Sequence, residues 1–363
     1  MTFWSGLWTV AAIELRQRVR GVAWYVLLAI FFFLELVVTL IAWLALASAD
    51  QVGDALYAIV IYFTLLLATL VTPALAGNAI NGERDAGTLA TMQVTLASTA
   101  QIVLGKFLAA WLSALAFVAA SAPFIILTVA VGGLSVWTVV VSLAVLFVEM
   151  GVIAAFGVGL SGMLRRPLFS VVVTYLLVAL LSVGTLIAFT LIGSAIQERG
   201  TYQATNADWE RVYRDYDAGI NPYQPSGEPK PEYCTITNTY DYTMLRFDTV
   251  WWTLAANPYV VLADAVPTAY SRDDEPVSLF GFIKVGVRQA QLPPEPPSGW
   301  NECDPASGLV AGWDSSRQLI DSTLPSWFVG LALHVAGAAA LLWGAISATR
   351  TPARRLAPGS RIA

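Results

Sequence analysis

Six stretches of this chain are each long enough to cross a bilayer and almost empty of charge. They run Val22–Ala49, Ala55–Ala76, Ile102–Val131, Val136–Met163, Leu168–Ser194 and Ser326–Thr349. A helix needs about 20 mainly apolar residues to span a hydrocarbon core of about 30 Å. Backbone groups in that medium bond only within helices or closed barrels. The pattern therefore predicts an all-α polytopic bundle of six transmembrane helices. Only 12% of the residues are Asp, Glu, Lys or Arg, against about 25% in soluble proteins. That excludes a pair of soluble domains, which 363 residues would otherwise allow, and it excludes a disordered chain. A net charge of −5 with no basic stripe argues against nucleic acid as a partner.

Orientation follows from the cations. Arg16, Arg18 and Arg20 precede the first stretch; Arg84 and Lys106 lie between the second and third; Arg165 and Arg166 between the fourth and fifth; Arg350, Arg354, Arg355 and Arg361 after the sixth. The short loops on the other side, Asp50–Asp54 and Gly132–Ser135, have none. This positive-inside pattern predicts a multi-pass plasma-membrane protein with both termini cytoplasmic. Residues 195–325, which hold 18 of the 25 acidic and 9 of the 20 basic residues, are then an extracytoplasmic insert, and 350–363 a cytoplasmic tail. The first apolar run is too long for a cleaved signal and lacks its cleavage site. Within residues 1–20, Trp4, Leu7, Trp8, Ala11 and Leu15 recur at helical spacing, which predicts an interfacial amphipathic helix.

The insert reads as a mixed α/β domain. Tyr233–Tyr242 alternates like a strand, and Ser278–Arg288 is a second strand candidate. Val250–Val266, with Trp251, Trp252 and Tyr259, is broken by Pro258 and too short to span. A place on the outer membrane surface with the two Trp as anchors is one reading, which the sequence leaves open. Cys234 and Cys303 are the only cysteines and both fall in the insert. One disulfide is the simplest reading; two unpaired thiols are the alternative. The single histidine, His334, sits in the last apolar stretch, so no metal site is expected. The aromatic content of the insert leaves room for an extracytoplasmic partner.

The loop between the second and third stretches is the most specific part of the chain. Glu83, Arg84 and Asp85 form a charged cluster at the membrane exit. Leu89, Met92 and Leu96 follow at i, i+3 and i+7, with Thr88, Thr91, Gln93 and Thr95 around them. Ser98-Thr99-Ala100-Gln101 is a capping box for the next helix, and Lys106 is expected to snorkel to the interface. From periodicity alone the short helix is either a lever offering apolar knobs to a partner's groove or a solvated connector.

The string Gly82-Glu83-Arg84-Asp85-Ala86-Gly87-Thr88-Leu89, followed by Ser98 and by Ile102-Val103-Leu104-Gly105-Lys106, resembles the type-2 ABC exporter permeases. The stretch Trp251-Trp252 through Asn257-Pro258 and Ala263-Asp264 is similar to their extracytoplasmic segments. The resemblance implies a permease subunit that couples ATP hydrolysis on a separate ABC ATPase to export. In it, residues 83–97 are the coupling helix, with Glu83, Arg84, Asp85, Gly87, Thr88, Leu89, Met92 and Leu96 receiving the ATPase. It further implies a second permease subunit, identical or different. ATP and Mg are then held by the ATPase partner, with no cofactor in this chain. The sequence carries no G-x-x-x-x-G-K-[ST] phosphate loop. The large insert departs from smaller members and leaves the substrate unassigned.

Glu35, Glu149 and His334 fall inside apolar stretches. Ionisable groups at that depth are costly and are functional candidates by default, here for a pathway or a subunit interface. The plainer readings are a protonated, hydrogen-bonded Glu149 and a packing role for His334. Nothing around them forms a nucleophilic or H-E-x-x-H catalytic set. Two other functions remain open at this point. One is a proton-coupled secondary transporter using Glu35 and Glu149. The other is a membrane-anchored receptor or scaffold whose external domain binds a ligand. Gly151, Gly157, Gly159 and Gly162 suit either close helix contact or kinks in the fourth span.

Overall fold

Among the residues described in this computed structural model (2–47, 52–86, 98–297, 299–304 and 315–349), six helical segments are long and apolar enough to cross a membrane. Ahead of them runs α1 (Phe3–Arg20). The first two spans are α2 (Val22–Leu46) and α3 (Val52–Ala76), and the short α4 (Asn81–Asp85) follows. Residues 87–97 lie outside the described residues, and with them the expected positions of Gly87, Thr88, Leu89, Met92 and Leu96.

The third span is two helices, α5 (Thr99–Ala120) and α6 (Ala122–Val131), not the single run expected from its apolar length. The break falls at Ser121, two residues before Pro123; proline removes a donor and clashes with the preceding turn. The start of α5 has the expected capping box: Gln101 N–H donates to Ser98 Oγ at 3.3 Å, and Ser98 N–H to Gln101 Oε1 at 2.7 Å. The fourth span, α7 (Val136–Met163), runs unbroken through its glycines. At Gly162 a side chain's Cβ would come within 2.5 Å of Ala345 Cβ, so here glycine serves close approach rather than a kink. The fifth span is α8 (Pro167–Ala179) and α9 (Thr185–Ala195), joined by a π-helical turn at Leu180–Gly184. The sixth, α15 (Trp327–Thr349), is reached after the insert.

Helix α1 lies against α5. Its buried side is Gly6, Leu7, Val10 and Ala11, while Trp4 is 69% and Trp8 54% exposed. The expected stripe is thus divided. Leu7 and Ala11 face protein because Gly105 lets the backbones close up: a Cβ there would lie 2.7 Å from Val10 Cβ.

The chain forms two compact units. The first comprises the described residues of Met1–Leu186, Trp252–Gly286 and Leu324–Ala363. The insert is therefore divided, since Trp252–Gly286 packs with the spans. Here lie α11 (Trp252–Ala255) and α12 (Pro258–Ala265). Val261, Leu262, Ala263 and Val266 are buried in one cluster with Tyr57, Ile61, Tyr62 and Leu65 of α3 and with Met150 and Ile153 of α7. The surface position left open for Val250–Val266 does not hold for its second half: from Val260 on, the run is covered by protein. A short apolar run has the same composition in either setting, and only its partners decide.

The second unit comprises Ile187–Trp251 and the described residues of Val287–Thr323. Strand β1 (Gln197–Asn206) pairs antiparallel with β2 (Ile236–Leu245), from Gln197 opposite Leu245 to Asn206 opposite Ile236. The short β3 (Trp300–Asn301) joins β1 in parallel. The strand expected at Tyr233–Tyr242 is present with a shifted start. The one expected at Ser278–Arg288 is instead a helix, α13 (Leu279–Gln289), which begins in the first unit and whose buried residues Phe280, Lys284 and Val287 recur at helical spacing; α10 (Trp209–Asp217) and α14 (Ser316–Ser322) belong to the second unit. Cys234 and Cys303 form the expected disulfide, with Cα atoms 5.9 Å apart. Cys303 packs with Ala207, Val212 and Tyr233 in this unit's core.

Candidate functional site

The root of the loop that follows α3 is tied to two other elements, α1 and α5, through Lys106. This side chain, on the second turn of α5, is 1% exposed. Its ammonium pairs with Glu14 of α1 and with Glu83 of α4, the latter at 2.7 Å. The expectation that Lys106 snorkels is corrected: its charge is held inside a junction of helices. A buried ammonium costs several kcal/mol unless it is paired and hydrogen-bonded, and two carboxylates supply that here. Gln101, one turn earlier, donates from Nε2 to Phe3 O at 3.0 Å. Arg18 donates to Leu75 O at 3.0 Å and to Ser113 Oγ at 3.3 Å. Helix α1 is thereby bound to the ends of α3 and α5.

The charged triplet divides its work. Glu83 faces Lys106. Arg84 turns the other way, donating to Asn81 Oδ1 at 2.6 Å, Leu164 O at 3.1 Å and Gly162 O at 3.3 Å. A guanidinium on the last carbonyls of α7 satisfies acceptors that have no helical donor and sits at the negative end of the dipole. Asn81 also donates to Ser170 Oγ at 3.1 Å, on α8. Asp85 is exposed. One short helix is therefore fixed to α1 and α5 on one side and to α7 and α8 on the other.

A second constellation lies between α7 and α15. Glu149 Oε1 and His334 Nδ1 are 2.9 Å apart, at 1% and 2% exposure. His334 Nε2 is 2.8 Å from Ala256 O. A carbonyl only accepts, so Nε2 carries a hydrogen. One further proton, shared between Nδ1 and Oε1, makes the pair neutral overall. Without it a single negative charge would be buried among Val152, Ile153, Phe156 and Pro258. Two of the intramembrane candidates are thus brought together, 185 positions apart in sequence.

Sequence reasoning missed what holds α11 and α12 beside this pair. Asn257 accepts from Tyr259 N–H at 2.9 Å, capping α12, and donates to Ser182 O at 2.6 Å and Thr185 Oγ1 at 2.9 Å at the π-helical turn. Asp264 Oδ2 accepts from the N–H groups of Ser326 and Trp327 at 2.6 and 3.0 Å, capping the start of α15. The signal available in sequence was Asn257-Pro258, an N-cap residue followed by proline at the first helical position.

Glu35 belongs to neither group. It is 1% exposed and lies 3.1 Å from Thr64 Oγ1, which is 3.1 Å from Ser121 Oγ at the break in the third span. Glu35 and Glu149 therefore have separate partners. Among the described residues no cluster of three or more His, Cys, Asp or Glu is arranged to hold a metal ion.

The sequence profile of one family, described as "ABC-2 family transporter protein", matches residues 8–263, from α1 through α12. No curated protein matches the chain. The chain belongs to the ABC-2 transporter family.

Proposed function

We propose, from membership of the ABC-2 transporter family, that this protein is the permease subunit of an ABC exporter, driven by a separate ATPase subunit. The reading rests on one observation above all. Glu83, at the root of the segment 87–97, shares a buried lysine with Glu14. A push on that segment would be delivered to α1 and α5 through the ion pairs, and to α7 through Arg84. Leu89, Met92 and Leu96 supply the apolar knobs for the ATPase, which binds ATP and Mg. The positive-inside charges support a cytoplasmic position for this face in a plasma-membrane protein, and an extracytoplasmic one for the insert that holds the two cysteines. A second permease subunit, identical or different, completes the translocation path.

The test is co-purification with an ABC ATPase encoded beside this chain, followed by ATPase assay in lipid. Changing Leu89→Asp and Met92→Asp together should release the ATPase while leaving the melting temperature of the permease in place. An intact, fully active complex carrying both changes would remove the coupling role from this loop.

A further inference from the structure

The hydroxyl group of Thr64 is asked to serve three neighbours. Its Oγ1 lies 2.8 Å from Val60 O, 3.1 Å from Glu35 Oε1 and 3.1 Å from Ser121 Oγ. A threonine hydroxyl has one proton and two lone pairs. Val60 O can only accept and is the nearest, so the proton goes there. Oγ1 is then left as an acceptor toward Glu35, which has a proton to give only as a neutral carboxylic acid.

The charged alternative fits poorly. If Thr64 gave its proton to Glu35, the carboxylate would have one donor for its two oxygens. Glu35 Oε2 is buried with no hydrogen-bond partner, and an anion at that depth is costly. Among the described residues no cation is paired with it. Glu35 is the only charged residue of α2, and α6 has none. On α3 the acid is Asp54, ten positions from Thr64 and so about 15 Å along the helix. On α5 the cation is Lys106, held by Glu14 and Glu83. The hydroxyls of Tyr57 and Tyr62 on α3 are bonded to Ser142 and to Tyr259 O. On α1, Arg18 is engaged with Leu75 O and Ser113.

We propose that Glu35 is a proton-binding site, holding one exchangeable proton that closes a hydroxyl junction across the first three spans. With the proton in place Glu35 Oε1 donates to Thr64 and Thr64 donates to Val60. Without it, Oε1 and Oγ1 face each other with no hydrogen between them, or Thr64 turns away from Val60. Either change reaches Ser121, where the third span is already broken between α5 and α6. The inference stands on side-chain geometry alone and does not depend on coupling to an ATPase.

Infrared difference spectroscopy of the full chain in lipid tests it. The band lost in Glu35→Gln should be the C=O stretch of a neutral acid, and it should shift in D2O. In Thr64→Val, which removes the acceptor, that band should move to higher frequency. Loss of the two carboxylate stretches in Glu35→Gln would overturn the proposal. So would an acid band that Thr64→Val leaves in place. Should Glu35→Gln fail to fold, the Thr64→Val spectrum against wild type still decides, since only a protonated Glu35 gives a shifted acid band.

Discussion

Lys106 and Glu83 meet at 2.7 Å inside a helix junction, and Glu14 reaches the same ammonium from α1. Helices α1, α4 and α5 converge on one charge. Removing that charge alone leaves two carboxylates facing each other out of water. Lys106→Met should therefore destabilise the protein by about 3–5 kcal/mol, read as a lower melting temperature in detergent. The triple variant with Glu14→Gln and Glu83→Gln should recover most of the loss. A Lys106→Met protein that melts with wild type would show that the junction contributes no stability.

The Glu149–His334 pair makes an asymmetric prediction. His334→Ala leaves a buried acid without its partner and Ala256 O without its donor, at a cost of about 3–5 kcal/mol. Glu149→Gln keeps a hydrogen-bonding group beside Nδ1 and should cost about 1 kcal/mol. Thermal melts of the two variants side by side check the ordering, and equal losses would contradict it.

Close packing at Gly162 is testable by size. Gly162→Val places methyl groups where Ala345 already sits, with Cβ atoms 2.5 Å apart before any relaxation. The expected loss is about 1–3 kcal/mol or more, with α7 and α15 forced apart. Gly286→Ala is the control, because a Cβ there meets nothing within 4 Å. Disulfide cross-linking between engineered cysteines on α7 and α15 should slow in the first variant and not in the second.

Arg246 joins Glu198 and Asp248 at 2.5 and 2.8 Å beside the β1–β2 pair. Its guanidinium holds the Asp248 carboxyl below the usual aspartate range. A depressed carboxyl adds stability above its unfolded-state value, about 3.9, and loses it as pH falls through the lower folded-state value. The loss should therefore appear only below about pH 3.9, and solvent screening of this exposed pair keeps it small. Hydrogen exchange of the β1–β2 amides against pH reads it. Asp248→Asn should remove this acid step, and an unchanged profile in that variant would assign the step elsewhere.

The parts of this fold that were legible in sequence are those decided by neighbours in sequence. Span length gave six helices, Ser98 and Gln101 gave a capping box, and two insert cysteines gave one disulfide. What was misread depends on distant partners. Val260–Val266 has the same apolar pattern on a membrane surface or inside a bundle; Tyr57, Met150 and their neighbours decide. Lys106 would snorkel if Glu14, 92 positions away, were not beside it. His334 gave no local sign that Glu149 would meet it. The apolar positions Leu89, Met92 and Leu96 lie outside the described residues, so their role rests on spacing and family.

The π-helical turn at Leu180–Gly184 has a consequence for the numbering of the fifth span. An α-helix advances about 100° per residue, and a π turn accommodates one residue more than the α register allows. The side chains of α8 and α9 therefore keep different phases on either side of it. Asn257 reads both at once, taking Ser182 O from within the turn and Thr185 Oγ1 from just beyond it. Deleting a single residue there would leave the span nearly as long and as apolar as before. It would still rotate one of the two acceptors out of register with the other, like a vernier slipped by one mark.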